Sequence, residues 1–377
     1  MTEPIRILHN IASLHFGGSQ AFVMNIYNNI DRTKVQFDFV VTPEERKDLY
    51  DEVERLGGRV YVCPKYIGKN HLVFCKWWHR FFKEHKEYHV IHGHVRSTAA
   101  IYLAIAKKHG LVTIAHSHST SNGSGFSGFV KNIMQLPIRY IADYLFACSD
   151  KAGIWLYGVK ATKKSNYRMI PNGVDLERFS FDETKRKEMR ELLGIYNQEF
   201  IIGHIGRFTE PKNHKFLVEL FADYYRNNCN SRLLMIGDGE LHDTIKKQCE
   251  ELGISEAVIM PGSRFDTENF YQAMDAFVFP SLWEGLPVAV VEAQANGLSC
   301  LVSDVITRDV NLTDLITYLP LNDKIQWLRS LDEAKNTLHK KISDNNKLKL
   351  HPFDSQTVAL ELQTFYLELD KKWKNER

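Results

Sequence analysis

Two carboxylates, Glu284 and Glu292, flank Gly285-Leu286-Pro287-Val288-Ala289-Val290-Val291, directly after the apolar run Asp275-Ala276-Phe277-Val278-Phe279 and the pair Pro280-Ser281. Apolar run, short loop and periodic segment read as a buried strand emptying into a helix that begins at Pro287. Proline suits a first helical turn because its missing N–H would find no intrahelical partner there. The amides of Leu286, Val288 and Ala289 then point out of a positive helix end, a natural seat for a phosphate. Glu284 precedes that seat and Glu292 follows it within the helix. This spacing suits gripping hydroxyls on either side of a diphosphate, a sugar on one side and a ribose on the other. Two solvated surface carboxylates are the bland alternative. Glu292 argues against it, because a lone charge among Val290, Val291 and Ala293 is costly without a partner.

Cations and glycines sit where such a diphosphate needs them. Gly206-Arg207-Phe208-Thr209-Glu210-Pro211-Lys212-Asn213 follows an apolar run, which puts Arg207 and Lys212 at the carboxyl edge of a sheet. Arginine forks onto two oxygens, and lysine adds a point charge. Gly237-Asp238-Gly239 and Gly262-Ser263-Arg264 end the next two runs, so Gly206 and Gly237 offer close backbone approach, and Ser263 and Arg264 are assigned to the base. In the first half, Gly17 and Gly18 open a helix and leave room for a substrate beside the backbone. They do not complete a G-x-G-x-x-G, which counts against a dehydrogenase. His116 and His118 end another run before the Gly- and Ser-rich loop Ser119 to Gly128, and His92 and His94 repeat the pattern one strand earlier. Histidines at strand ends are candidates for proton transfer or sugar orientation. Metal binding by these four histidines is a minor option, because their spacing matches no strong ligand motif.

The elements that must position these residues are parallel strands. Short apolar runs alternate with helix-length amphipathic segments throughout, the pattern of βαβ units. Six strands are expected in the first half: Ile5–Ile11, Val35–Val41, Arg59–Val62, Val90–His92, Val112–His116 and Tyr144–Ala147. Six more are expected in the second: Phe200–Ile205, Arg232–Ile236, Ala257–Met260, Ala276–Phe279, Cys300–Ser303 and Ile316–Leu319. The fold class is therefore α/β, with two Rossmann-like doubly wound domains facing across a cleft. The polar, basic segment Val159 to Tyr167 and the turn-forming Pro171-Asn172-Gly173-Val174-Asp175 divide them, giving an acceptor domain over 1–170 and a donor domain over 171–354. A final helix, 355–377, is expected to return to the first domain.

The 377 residues carry 44% hydrophobic and 25% charged side chains, a globular composition, and a net charge of +2 gives no field for nucleic acid. Six scattered cysteines without a C-x-x-C pair fit reduced thiols, and no start signal or long apolar span is seen, so the expected setting is the cytoplasm. Phe74, Trp77, Trp78, Phe81 and Phe82 recur at helical spacing among Lys76, Arg80, Lys83 and Lys86. Such a stripe is more often core. If exposed, it would dock the protein peripherally on the inner face of a membrane.

Together these motifs resemble the GT-B-fold glycosyltransferases of family four, and among them enzymes of capsule and exopolysaccharide assembly. The resemblance runs from Ile5 to about Leu369. It rests on the Glu284…Glu292 pair, on Gly206-Arg207-Phe208…Lys212-Asn213, on Pro171-Asn172-Gly173-Val174-Asp175 and on Ala115-His116-Ser117-His118. It implies a retaining, metal-independent transfer from a nucleotide diphosphate sugar, uridine-based, to a glycan or lipid-linked glycan. Under it, Arg207 and Lys212 bind the diphosphate, Glu284 contacts the transferred sugar, Glu292 the ribose, Gly17 and Gly18 close over the phosphates, and His116 lies beside the sugar with His118 toward the acceptor. No cofactor is implied beyond the donor substrate. Ser299 stands where the family usually has proline, and Asp309 where it has glutamate. Two other functions stay open at this level: a GT-B-like nucleotide-sugar epimerase, and a non-catalytic partner subunit, against which the presence of both cations and both glutamates counts.

Overall fold

The computed structural model describes residues 3–15, 18–43, 49–118, 132–264, 266–336 and 350–375. Their strands are β1 Ile5–Asn10, β2 Val35–Val41, β3 Val60–Val62, β4 Tyr88–Gly93, β5 Val112–Ser117, β6 Tyr144–Ala147 and β7 Tyr167–Met169 in one sheet, ordered β3-β2-β1-β4-β5-β6-β7. The other sheet holds β8 Phe200–Ile205, β9 Ser231–Ile236, β10 Val258–Ile259, β11 Ala276–Phe279, β12 Ser299–Ser303 and β13 Ile316–Leu319, ordered β10-β9-β8-β11-β12-β13. Every pairing is parallel. Parallel strands buried on both faces read as continuous apolar runs, which is why β8 and β11 are legible in the residues alone.

The first sheet has one strand more than the six expected. β7 falls at the end of the segment read as polar, is three residues long, and keeps Arg168 and Met169 exposed. An edge strand that buries so little leaves no apolar run to detect.

The chain separates into two compact units, Met1–Gly173 with Ser355–Arg377, and Val174–Asp354. In the first, the helix Ser355–Asn375 lays Val358, Leu362, Phe365, Tyr366 and Leu369 into the same core as Phe22, Phe37 and Phe39. In the second, Phe200, Leu217, Phe221, Leu233, Val278 and Trp327 share a core around β8, β9 and β11. Each sheet reverses strand order once, between β1 and β4 and between β8 and β11. The loops leaving such a switch point splay apart, and ligands of open α/β sheets bind there.

The aromatic stripe belongs to the core. In the helix His71–Glu84, Phe74, Trp78, Phe81 and Phe82 are buried, and the Trp78 ring stacks on Phe82 and on Tyr102, with centroids 5.4 Å away in each case. Four of the five rings are thus spent on packing, and Trp77, half-buried, stacks on Phe81 with centroids 5.1 Å apart. Among the described residues, no helix is long and apolar enough to cross a membrane.

Candidate active site

The second unit gathers its candidate residues at the β8/β11 switch point. β8 ends at Ile205, and the chain turns through Gly206 and Arg207 into a short 3-10 helix, Glu210–Lys212. Asn213, at φ 55°, is the one non-glycine residue with positive φ among those described, and it turns the chain into the helix His214–Tyr225. Its side-chain amide donates to the Pro280 carbonyl at 3.1 Å, and the Leu282 N–H donates to the Pro211 carbonyl at 2.8 Å. These two bonds fasten the loop after β8 to the loop after β11. The result is that Lys212 Nζ sits 2.6 Å from Glu284 Oε1, an ion pair. The same ammonium lies 4.7 Å over the Phe279 ring, a cation–π contact. Lys212 is thus fixed by a carboxylate and an aromatic face while part of its surface stays open.

Backbone packing fixes the rest of this edge. Gly206 N–H donates to the Ile236 carbonyl at 3.0 Å, and Gly237 N–H to the Gly262 carbonyl at 2.9 Å, so the ends of β8, β9 and β10 run side by side. Gly237 has φ 143°, and a Cβ there would stand 2.1 Å from the Gly206 carbonyl oxygen. A Cβ on Gly206 would press the Lys212 side chain at 3.2 Å. Both glycines therefore let neighbouring protein segments pack closely against each other. Arg207 is exposed and forms no ion pair with any described residue. Ser263 and Arg264 are also exposed, and Arg264 is engaged by Asp266 through two bonds of 3.0 and 3.1 Å. Beneath Lys212, His204 donates from Nδ1 to the Val278 carbonyl (2.8 Å), and burial holds its imidazole down at about 4. His214, stacked on Phe208 at 4.0 Å, is held down at about 2 by the same cause. Neither adds positive charge at neutral pH, so the charge at the end of β8 comes from Arg207 and Lys212.

The helix after β11 runs Val288–Asn296, with Pro287 as its cap and Leu286 and Pro287 buried beneath it. It begins one residue later than the sequence suggested. The first amides, at Val288 and Ala289, have no intrahelical acceptor, and no acidic residue occupies the first turn. Gly285 is half-buried ahead of them. Glu292 is closely surrounded by protein, and burial pushes its carboxyl up to about 7, against the Tyr271 hydroxyl and Arg178, which pull it down. Tyr271 Oη lies 2.8 Å from Glu292 Oε2 and 3.0 Å from the Ala289 carbonyl. Its single proton can serve either of these two acceptors. Tyr271 is the partner that the apolar surroundings of Glu292 required, and sequence alone did not supply it.

In the first unit, Gly18 starts the helix Gly18–Asn29, is exposed, and would meet nothing within 4 Å if given a Cβ. Gly17 lies outside the described residues, as does the loop Ser119 to Gly128. His116 is fully buried, its Nδ1 3.1 Å from His92 Nε2. His118 keeps exposed surface, with Nε2 2.8 Å from His94 Nδ1. Burial holds His116 well below its ordinary range and His118 down at about 3. Of the two histidines, only His118 presents a surface to a ligand. His9, overlooked in the sequence, joins this cluster through His94. Its signal was its position in β1, opposite His92 in register.

Comparison with known proteins gives this geometry a family. Residues 185–314 match the model of the glycosyl transferases group 1, and residues 16–178 that of glycosyltransferase family 4. EpsF of Bacillus subtilis (strain 168), whose name places it with the glycosyltransferases, is 34% identical over 337 residues, 87% of this chain and 87% of that one. An Escherichia coli UDP-Gal:alpha-D-GlcNAc-diphosphoundecaprenol alpha-1,3-galactosyltransferase is 29% identical over 231 residues, 58% of this chain and 59% of that one. Among solved structures, HepE of Anabaena in complex with UDP and glucose superposes with a TM-score of 0.77 at 17% identity, over 96% of this chain and 99% of that one, a likeness of fold. Two parallel-sheet units, both family models and a relative aligned over most of its length agree: the chain belongs to the family-4 glycosyltransferases of GT-B fold.

Proposed function

We propose that this glycosyltransferase moves a hexose or N-acetylhexosamine from a UDP-sugar to a glycan or lipid-linked glycan during surface polysaccharide assembly, with retention of configuration. The observation that carries the proposal is the Lys212–Glu284 pair at the switch point, beside the open start of the helix Val288–Asn296. UDP in the HepE complex and UDP-Gal in the name of the Escherichia coli relative support the choice of nucleotide.

The chemistry is mainly electrostatic. As the bond between sugar and phosphate breaks, negative charge grows on the leaving diphosphate. Lys212, Arg207 and the amides of Val288 and Ala289 stabilise that charge more in the transition state than in the bound donor. Glu284 orients Lys212 before the donor arrives and faces the sugar, whose ring turns oxocarbenium-like. Acceptor attack on the face the diphosphate leaves, with that phosphate taking the acceptor proton, retains configuration without a protein nucleophile. Glu292 accepts from the ribose hydroxyls. In the first unit, His118 takes the sugar-side role in place of His116, because it alone of the two is open. With Lys212 and Arg207 as the counter-charges, turnover proceeds without added Mg2+ or Mn2+.

The test is purified protein with UDP-hexoses and UDP-N-acetylhexosamines, each with and without lipid-linked acceptors, the product anomer being read by NMR. Acceptor-dependent transfer with retention is expected. Conversion of donor in the absence of acceptor would instead make it an epimerase. Absence of UDP binding in thermal shift would remove the proposal altogether.

A further inference from the structure

The proposed sugar transfer uses His118 and leaves four buried histidines of the first unit without a task. Residues two apart on a strand share a face. His92 and His94, at the end of β4, therefore point the same way, and His9 lies opposite His92 in the β1–β4 register. The His9 and His92 rings are 5.2 Å apart at their centroids, and those of His92 and His94 4.4 Å. This is the first sheet's own switch point, between β1 and β4.

The geometry points to a transition-metal site, zinc by its chemistry, held by His9, His92 and His94. Each of the three offers a ring nitrogen, all within 4.8 Å of one another. His9 Nδ1 and His94 Nε2 are 3.0 Å apart. Two imidazole nitrogens bound to one tetrahedral zinc stand about 3.3 Å apart, given zinc–nitrogen bonds of about 2.05 Å. The strands thus already hold two ligands near coordinating distance. All-imidazole donors suit zinc, copper, nickel and cobalt, and exclude the hard ions magnesium and calcium. All three rings are buried. Two of the three outer nitrogens have partners of the kind that orient metal-bound imidazoles, while His9 Nε2 has none among the described residues. His92 Nδ1 lies 2.6 Å from the Tyr366 hydroxyl, and His94 Nδ1 2.8 Å from His118 Nε2. Tyr366 comes from the helix Ser355–Asn375, so the metal would tie β1 and β4 to that helix.

The experiment uses tag-free full chain, stripped with a chelator, reloaded with zinc chloride, desalted and analysed by mass spectrometry. About one zinc per chain is expected, with an X-ray absorption spectrum showing imidazole ligands, and a zinc-dependent rise in melting temperature. His9→Asn and His94→Asn should each retain about a tenth of that zinc or less, while Tyr366→Phe keeps the stoichiometry and binds about 10-fold more weakly. Wild-type protein that holds no zinc overturns the site, as does an absorption spectrum without imidazole. So does full retention by His9→Asn with loss in His118→Ala, which would move the ion to the outer histidines. The absorption spectrum is read on wild-type protein and decides even if a variant fails to fold. None of these outcomes depends on the donor or on transfer activity.

Discussion

Lys212 is held on two sides, by Glu284 and by the Phe279 ring, before any anion reaches it. A flexible ammonium so fixed loses little freedom on meeting a diphosphate, which is the condition for stabilising charge that develops only during reaction. Lys212→Ala should lower kcat by about 10²- to 10³-fold with the melting temperature of the unliganded protein changed little. Transfer kinetics paired with a melting curve check it, and unchanged turnover would remove Lys212 from the mechanism. Glu292 makes a prediction about pH. Its folded carboxyl is raised to about 7, above the ordinary range, so the folded state binds the extra proton and this group's contribution to stability declines as pH rises from the ordinary carboxyl value to about 7. UDP, whose ribose hydroxyls need an ionised acceptor, should bind more tightly across the same rise. Glu292→Gln should flatten both trends, and calorimetric titration with UDP between pH 5.5 and 8 on the two proteins measures it. The residue types announced this chemistry: glutamates around a Gly-x-Pro turn, cations after a strand. The pairing of Lys212 with Glu284, and of Glu292 with Tyr271, was not legible, because each joins segments far apart in sequence whose register only the fold sets.

At the scale of elements, the site depends on two loops fastened to each other and on three strand ends packed through glycine. Gly237→Ala would place a methyl 2.1 Å from the Gly206 carbonyl oxygen, at a backbone angle an L-residue rarely adopts. A loss of about 2–3 kcal/mol is expected in urea unfolding of the second unit, with weaker UDP binding because the Gly206 turn carries Arg207 and Lys212. Unaltered unfolding would mean the turn relaxes at no cost. The strands that pack on both faces were readable as apolar runs, and their ends lie within a few residues of those expected. β7 was not, since an exposed three-residue edge has no apolar signature. The aromatic stripe over Phe74 to Phe82 had the right period for either a core or an interface. Only the facing Tyr102 ring decides for core.

For the whole molecule, the alternation of apolar runs with amphipathic segments was enough to indicate parallel sheet, and the turn chemistry of Pro171-Asn172-Gly173-Val174-Asp175 divided it in two. The apolar side of the last helix was equally visible in Val358, Leu362, Phe365 and Leu369, though not Tyr366, whose hydroxyl meets His92. Phe365→Ala should cost the first unit about 3–4 kcal/mol, since the ring is buried against the Tyr144 and Phe146 rings. Calorimetry should show the first unit's melting lowered and the second unit's transition in place, whereas a shared downward shift would mean that the two melt as one. That helix has a further consequence, for how the protein is made. A ribosome delivers every residue from Val174 to Asp354 before the segment that completes Met1–Gly173. The nascent amino-terminal sheet must therefore wait, with part of its apolar face uncovered, while the carboxyl-terminal sheet can already have folded, and the earlier-born half becomes the later to mature.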